Sequence, residues 1–172
     1  DGVFEGKPAT PLVAPVVAVG KLMQGGRKVG IVGTEDPVNW RKNAAGGMEI
    51  GYDGNEQAVR FAVKFPPNVD RWVYPEYVLQ LPQESLAGAA GIAFEIRRLT
   101  PGRIVFSRVN ARWDGRFTGE GFEPPETEWQ ERRVLFHSGF EPERIKELEI
   151  GFNPAEKSFG WMIRNIRVFY TR

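Results

Sequence analysis

Apolar and polar residues alternate with period two along most of the chain from Lys28 onward, and this alternation predicts strands. In Gly91–Arg98, Ile92, Phe94 and Ile96 fall on one face and Ala93, Glu95 and Arg97 on the other. In Lys146–Phe152, Leu148, Ile150 and Phe152 alternate with Glu147 and Glu149. Further strands are predicted at Met48–Tyr52, Ala58–Phe65, Val73–Leu81, Arg103–Trp113, Glu128–Phe136 and Trp161–Tyr170. Asp53-Gly54-Asn55-Glu56 joins the first two of these, and Asp-Gly between apolar runs predicts a hairpin whose tight turn needs positive φ. Pro75 marks a bulge or an edge, because proline cannot donate to a ladder. Pro66, Pro82, Pro101, Pro124 and Pro154 fall between runs, where the chain reverses. Helical turns are expected only at Ser85–Ala90 and Pro142–Lys146. Many short strands without an internal repeat predict an all-β fold, an antiparallel β-sandwich of the jelly-roll type.

A chain of 172 residues is the size of one domain with a real core. Residues 1–26 differ from the rest, with several prolines and valines closed by glycines. They are read as a linker or edge segment, partly packed through Val16–Val19, ahead of a sandwich domain at 27–172. The start at Asp1 without methionine suggests a piece processed or excised from a longer protein. Net charge is +1 with acids and bases interspersed, so no basic block calls for nucleic acid. No apolar run approaches the roughly 20 residues of a membrane-spanning helix.

The absence of cysteine excludes disulfides, zinc-thiolate sites and a thiol nucleophile. With His137 as the single histidine, paired histidine metal ligands are excluded and any triad rests on that residue alone. GIVGTE lacks the lysine, serine and spacing of a phosphate loop. A sandwich hydrolase needs two carboxylates about 5 to 9.5 Å apart, for which Glu147 with Glu149, or Glu126 with Glu128, are the nearest approach. The bland reading makes Glu147 and Glu149 the polar face of an amphipathic strand, paired with Arg97 and its neighbours.

Three segments carry a family likeness: GIAFEIRR from Gly91, ETEWQERRVLFHSG from Glu126 and KELEIGFNPAEKSFGWMIRNIRVFY from Lys146. Together they resemble the strands of carbohydrate-binding modules of the galactose-binding-like jelly-roll superfamily. The resemblance implies a non-catalytic module that targets a polysaccharide or oligosaccharide, attached to a catalytic domain of a secreted bacterial enzyme. It places the ligand on the concave sheet face or on the loops of one rim. Many such modules end in an I-D-N-I motif near a structural calcium. Here the matching stretch is Ile163-Arg164-Asn165-Ile166, and an arginine replaces the acid. No cofactor is required, and a structural calcium is admitted with Asp53, Asn55 and Glu56 as the nearest oxygen-rich cluster.

Sugar binding needs an aromatic platform for the apolar face of a pyranose and planar polar groups that fork onto vicinal hydroxyls. Trp72 with Tyr74, Arg108 with Asn110, and Gln130 with Arg132 each share a strand face, and Arg97 lies with Glu95 on the outward face of theirs. Trp113 has the wrong parity to join Arg108 and Asn110 unless a bulge intervenes or it sits beyond the strand at Asp114-Gly115. Trp129 and Trp161 are read as core, and Trp40 as a plug at one end. The competing reading has Arg97, Arg108 and Arg132 neutralising Glu95, Glu147 and Glu149 across the sheet. Two other functions stay open, a structural sandwich packed on a catalytic domain and a sandwich-fold lyase or hydrolase. Exposure of Trp72, Tyr74 and Trp113 along one cleft favours binding; burial favours the structural role.

Overall fold

The computed structural model describes residues 28–31, 33–79 and 86–170. Segment 1–26, Pro82 and the ends of two expected elements, residues 80–81 and Ser85, lie outside them. The described chain forms strands β1 (Lys28–Gly30), β2 (Trp40–Arg41), β3 (Gly47–Asp53), β4 (Ala58–Lys64), β5 (Glu76–Val78) and β6 (Ala89–Arg98). They are followed by β7 (Ile104–Trp113), β8 (Arg116–Gly121), β9 (Gln130–Leu135), β10 (Glu147–Pro154) and β11 (Ser158–Tyr170). They pair antiparallel into two sheets. The six-stranded sheet runs β3-β4-β11-β6-β9, with β1 also on β11; the five-stranded sheet runs β2-β5-β10-β7-β8. This is the expected β-sandwich.

Local chemistry sets the turns. Asp114 (φ 46°) and Gly115 (φ 76°) make the two-residue primed turn between β7 and β8. Strand β8 itself was not among the predicted elements. The β3–β4 hairpin forms where Asp53-Gly54 predicted it, but the positive φ falls on Gln57 (53°). Asp53 Oδ1 instead accepts the backbone N–H groups of Asn55 (3.0 Å) and Glu56 (3.1 Å), an Asx turn that makes a longer loop. Val73–Leu81 is not one strand. Pro75 interrupts it, and Val73 pairs only through isolated bridges to Ala44 and Phe152. In β11, Asn165 (φ 61°) sits in a bulge between Arg164 and Arg167.

The core lies between the sheets. Ile92, Phe94 and Ile96 of β6 and Ile150 and Phe152 of β10 are fully buried against one another's layers. Trp161 stacks on Phe61 (4.9 Å between centroids) and meets Phe152 edge-on (4.9 Å). Trp40 is buried, as a plug would be, with its indole N–H donating to the Thr34 carbonyl (2.8 Å). Trp129 is not core: it is half-buried on the outer side of the six-stranded sheet.

Candidate binding groove

Alternation on β7 divides its side chains. Ser107, Val109, Ala111 and Trp113 turn inward and are buried, while Phe106, Arg108, Asn110 and Arg112 face outward. The register then builds rows across the outer face of the five-stranded sheet. Arg112 stands between Phe117 of β8 and Glu147 of β10; Asn110 between Gly119 and Glu149; Arg108 between Gly121 and Gly151; Phe106 beside Asn153. Beyond β10, Glu76 of β5 lies next to Glu149, and Arg41 of β2 next to Glu76.

The glycines hollow this surface. A Cβ on Gly151 would stand 2.1 Å from the Val73 carbonyl oxygen and 2.7 Å from Tyr74, so its absence lets Trp72-Val73-Tyr74 pack closely against β10, where Val73 bridges to Phe152. A Cβ on Gly119 would strike the Asn110 amide and Arg108 Nη2. The result is a groove of about 310 Å³ lined by Asn43, Trp72, Tyr74, Arg108, Asn110, Arg112, Phe117 and Glu149. Phe117 is 53% exposed, Phe106 56% and Trp72 36%, so aromatic faces stand open at the groove and beside it.

The polar lining is held at one end. The buried Glu149 carboxylate accepts from Asn110 Nδ2 (3.0 Å) and Arg112 Nε (2.8 Å). Arg112 also reaches Glu76 (3.4 Å) and lies over the Phe117 ring (4.9 Å). Arg41 pairs with Glu76 (3.0 Å) and Glu147. Burial and the neighbouring Glu149 raise the Glu76 carboxyl above its ordinary value. Tyr74 donates its hydroxyl to Asn153 Oδ1 and is pushed up to about 12, chiefly by burial, so it stays a neutral donor.

Of the residues nominated from sequence, Trp72, Tyr74, Arg108 and Asn110 come together here. The others do not. Trp113 is 2% exposed and faces the core, because β7 runs without the bulge that would have turned it outward. Arg97 lies on the six-stranded sheet, 6.0 Å from the Trp129 ring. Gln130 and Arg132 lie on β9, the edge strand of that same sheet. Arg132 donates to the carbonyls of Glu123 (2.7 Å) and Pro124 (3.1 Å) and to Gln130 Oε1 (2.9 Å), which fastens a connecting segment. Nor do Glu147 and Glu149 pair with Arg97; their partners are Arg41 and Arg112. Asn43, Arg112 and Phe117 were missed. The signal for two of them was the Asp114-Gly115 turn, whose two-residue register places Phe117 beside Arg112.

Beside Glu56 of the suggested Asp53, Asn55 and Glu56 cluster, the arginine of the closing motif occupies the space among the carboxylates. Arg164 donates Nε to Glu95 (2.8 Å) and Nη1 to the Glu56 carbonyl (2.8 Å), and lies 3.7 Å from the Glu56 carboxylate. Its guanidinium also stacks on Trp129 (3.9 Å), whose indole N–H donates to Glu56 (2.7 Å). Among the described residues no three His, Asp or Glu side chains are grouped to hold a metal ion. No described helix is long and apolar enough to cross a membrane.

No protein-family model matches the chain, and no curated protein sequence does. Solved structures share its fold. A family 11 carbohydrate-binding module from Clostridium thermocellum, solved with a β-1,3-1,4-mixed-linked tetrasaccharide, superposes with TM-score 0.54 at 15% identity over 83% of this chain and 95% of that one. A family 30 module of a cellulosomal cellulase from the same organism gives 0.53 at 15%, over 84% and 98%. An agarase gives 0.64 at 10%, over 83% of this chain but 24% of the agarase. The fold is thus the β-sandwich seen in carbohydrate-binding modules.

Proposed function

We propose that the groove on the five-stranded sheet binds a polysaccharide and that the domain is a non-catalytic module of a larger secreted enzyme. The observation that carries this reading is the placement of Trp72 and Phe117 around Arg108 and Asn110. Apolar ring faces and forked polar groups converge there, as pyranose recognition requires. The family 11 neighbour, which holds a tetrasaccharide, supports it. The agarase likeness to one quarter of a longer chain supports attachment to a catalytic domain.

A non-catalytic role is supported by the state of the carboxylates. Glu149 is 1% exposed and engaged by Asn110 and Arg112, while Glu147 pairs with Arg41, so neither is free to act as acid or nucleophile. The domain requires no metal in this reading, since Arg164 supplies the cation beside Glu95 and Glu56.

Affinity electrophoresis of the isolated chain against glucan, xylan, mannan, galactan and uronate gels tests binding. Retardation on at least one gel is expected, with no release of reducing sugar. Unaltered mobility on every gel would return the domain to the purely structural role.

A further inference from the structure

Charges on the outer face of the five-stranded sheet separate along the groove. At one end three carboxylates, Glu76, Glu147 and Glu149, interlock with two guanidinium groups, Arg41 and Arg112. At the other end stands Arg108. Among the described residues no carboxylate lies within ion-pairing distance of it, and no side chain accepts a hydrogen bond from it. The register explains why: its neighbours on both sides, Gly121 and Gly151, have no side chain with which to meet it, and neither has Gly119, against which its Nη2 lies. The space over Gly121 is open, since a Cβ there would approach only the Ser107 carbonyl, at 3.6 Å.

Arg108 is half-buried, lines the groove together with Tyr74 and has no internal counter-charge. Neutral hydroxyls would satisfy its N–H groups but not its charge. A carboxylate or sulfate ester satisfies both, through charge-assisted hydrogen bonds about twice as strong as neutral ones and in the planar fork that guanidinium presents. Three carboxylates against two arginines leave the far end with one excess negative charge, which disfavours an anion there.

We propose that Arg108 is the specificity-determining residue of the groove and selects a sugar unit bearing a carboxylate or a sulfate ester, seated over the glycines of β8, Gly119 and Gly121, with its uncharged neighbour towards Asn43 and Glu149. The inference rests on the reading of the groove as a sugar site.

Isothermal titration calorimetry with the full 172-residue chain separates the two. The probes are oligogalacturonate and oligoalginate for the carboxylate, a sulfated galactan oligosaccharide for the sulfate ester, and mixed-linked glucan and agarose oligosaccharides as neutral ligands. One anionic class is expected to bind more tightly than either neutral one, with affinity falling as salt rises. Arg108→Gln should lose about tenfold or more, and Arg108→Lys should retain part, because the charge survives without the fork. Arg60→Gln, which removes an exposed cation from β4, should change nothing. Binding of neutral oligosaccharides alone, or anionic binding lowered equally by Arg108→Gln and Arg60→Gln, overturns the inference and leaves the groove reading intact. Absence of binding to every probe overturns the groove reading and the inference with it.

Discussion

The two outer faces of the sandwich use the same residue types to opposite effect. On the six-stranded sheet, Arg164 is enclosed by Glu95, Glu56 and the Trp129 ring, and Arg167 and Arg133 converge on Glu131. On the five-stranded sheet, Arg108 stands between two glycines, with Trp72 and Phe117 facing solvent around it. Tryptophans and arginines therefore do not by themselves make a binding surface. What separates the faces is whether neighbouring register positions carry side chains that close on them. A surface whose polar groups already satisfy one another gains little from a ligand, whereas one with unmatched donors gains much.

The sharpest way to break this contrast is to remove one tryptophan from each face. Trp72→Ala should weaken polysaccharide binding by about 2 kcal/mol, roughly 30-fold, as for a buried aromatic anchor, while melting stays near that of the parent. Trp129→Ala should do the reverse. It removes the ring under Arg164 and the donor to Glu56, so stability should fall by about 1 to 3 kcal/mol with affinity unchanged. Denaturant melts and calorimetry on both variants read the outcome. Equal loss of binding in the two would erase the distinction between the faces.

A subtler change should make the groove resemble the other sheet. Gly121→Asp introduces a carboxylate next to Arg108 at a position with room for a Cβ. Binding of an anionic oligosaccharide should drop about tenfold, and stability should stay within about 0.5 kcal/mol, as for a surface substitution. The measurement is calorimetric titration beside a melting curve. A variant that binds as well as its parent would mean that the charge of Arg108 does not reach the ligand.

The same contrast explains what sequence could and could not tell. Period-two alternation located the strands well, because burial on one face of a sheet acts residue by residue: Ile92, Phe94 and Ile96 were placed inward and are fully buried. The same parity correctly joined Trp72 with Tyr74 and Arg108 with Asn110. It could not say to which sheet a strand belongs, since that is decided by pairing between distant segments. Arg97, Gln130 and Arg132 were thus assembled with residues that lie on the opposite side of the sandwich. Phe117 stayed hidden because β8, Arg-Phe-Thr-Gly-Glu-Gly, has too little apolar alternation to announce a strand. Only the adjacent turn marks it.

Arg164 offers a smaller effect with a test of the metal question. Replacing it by methionine leaves Glu95 facing Glu56 without their cation, and stability near pH 7 should fall by about 1 to 2 kcal/mol, a partly exposed pair costing less than a buried one. Burial alone would raise the Glu95 carboxyl, but hydrogen bonds from Asn165 and Arg164 and the charge of Arg164 hold it below its ordinary 4.5. A depressed acid stabilises the fold above its unfolded value and loses that contribution as pH falls through the folded value. The parent should therefore weaken below about pH 4.5, and Arg164→Met should weaken less steeply there. Chelation with EDTA should leave the melting temperature of the parent unmoved; a clear drop would show that a metal shares the site.

Glu76, on the other face, has the opposite sign and the smallest effect. Burial and Glu149 raise its carboxyl above the ordinary 4.5, outweighing Arg41 and Arg112. A raised acid favours the protonated form in the folded state. Its contribution is fully present below the unfolded value and is lost as pH rises through the folded one. Glu76→Gln mimics the protonated form permanently. Its stability should match that of the parent at pH 4 and equal or slightly exceed it at pH 7, a difference below about 1 kcal/mol, read as the gap between two pH–stability curves. A variant clearly weaker at pH 7 would mean that the ion pairs to Arg41 and Arg112 dominate. The acidic end of the groove would then be held by attraction, as on the opposite sheet, and Arg108 alone would mark the difference between the two faces.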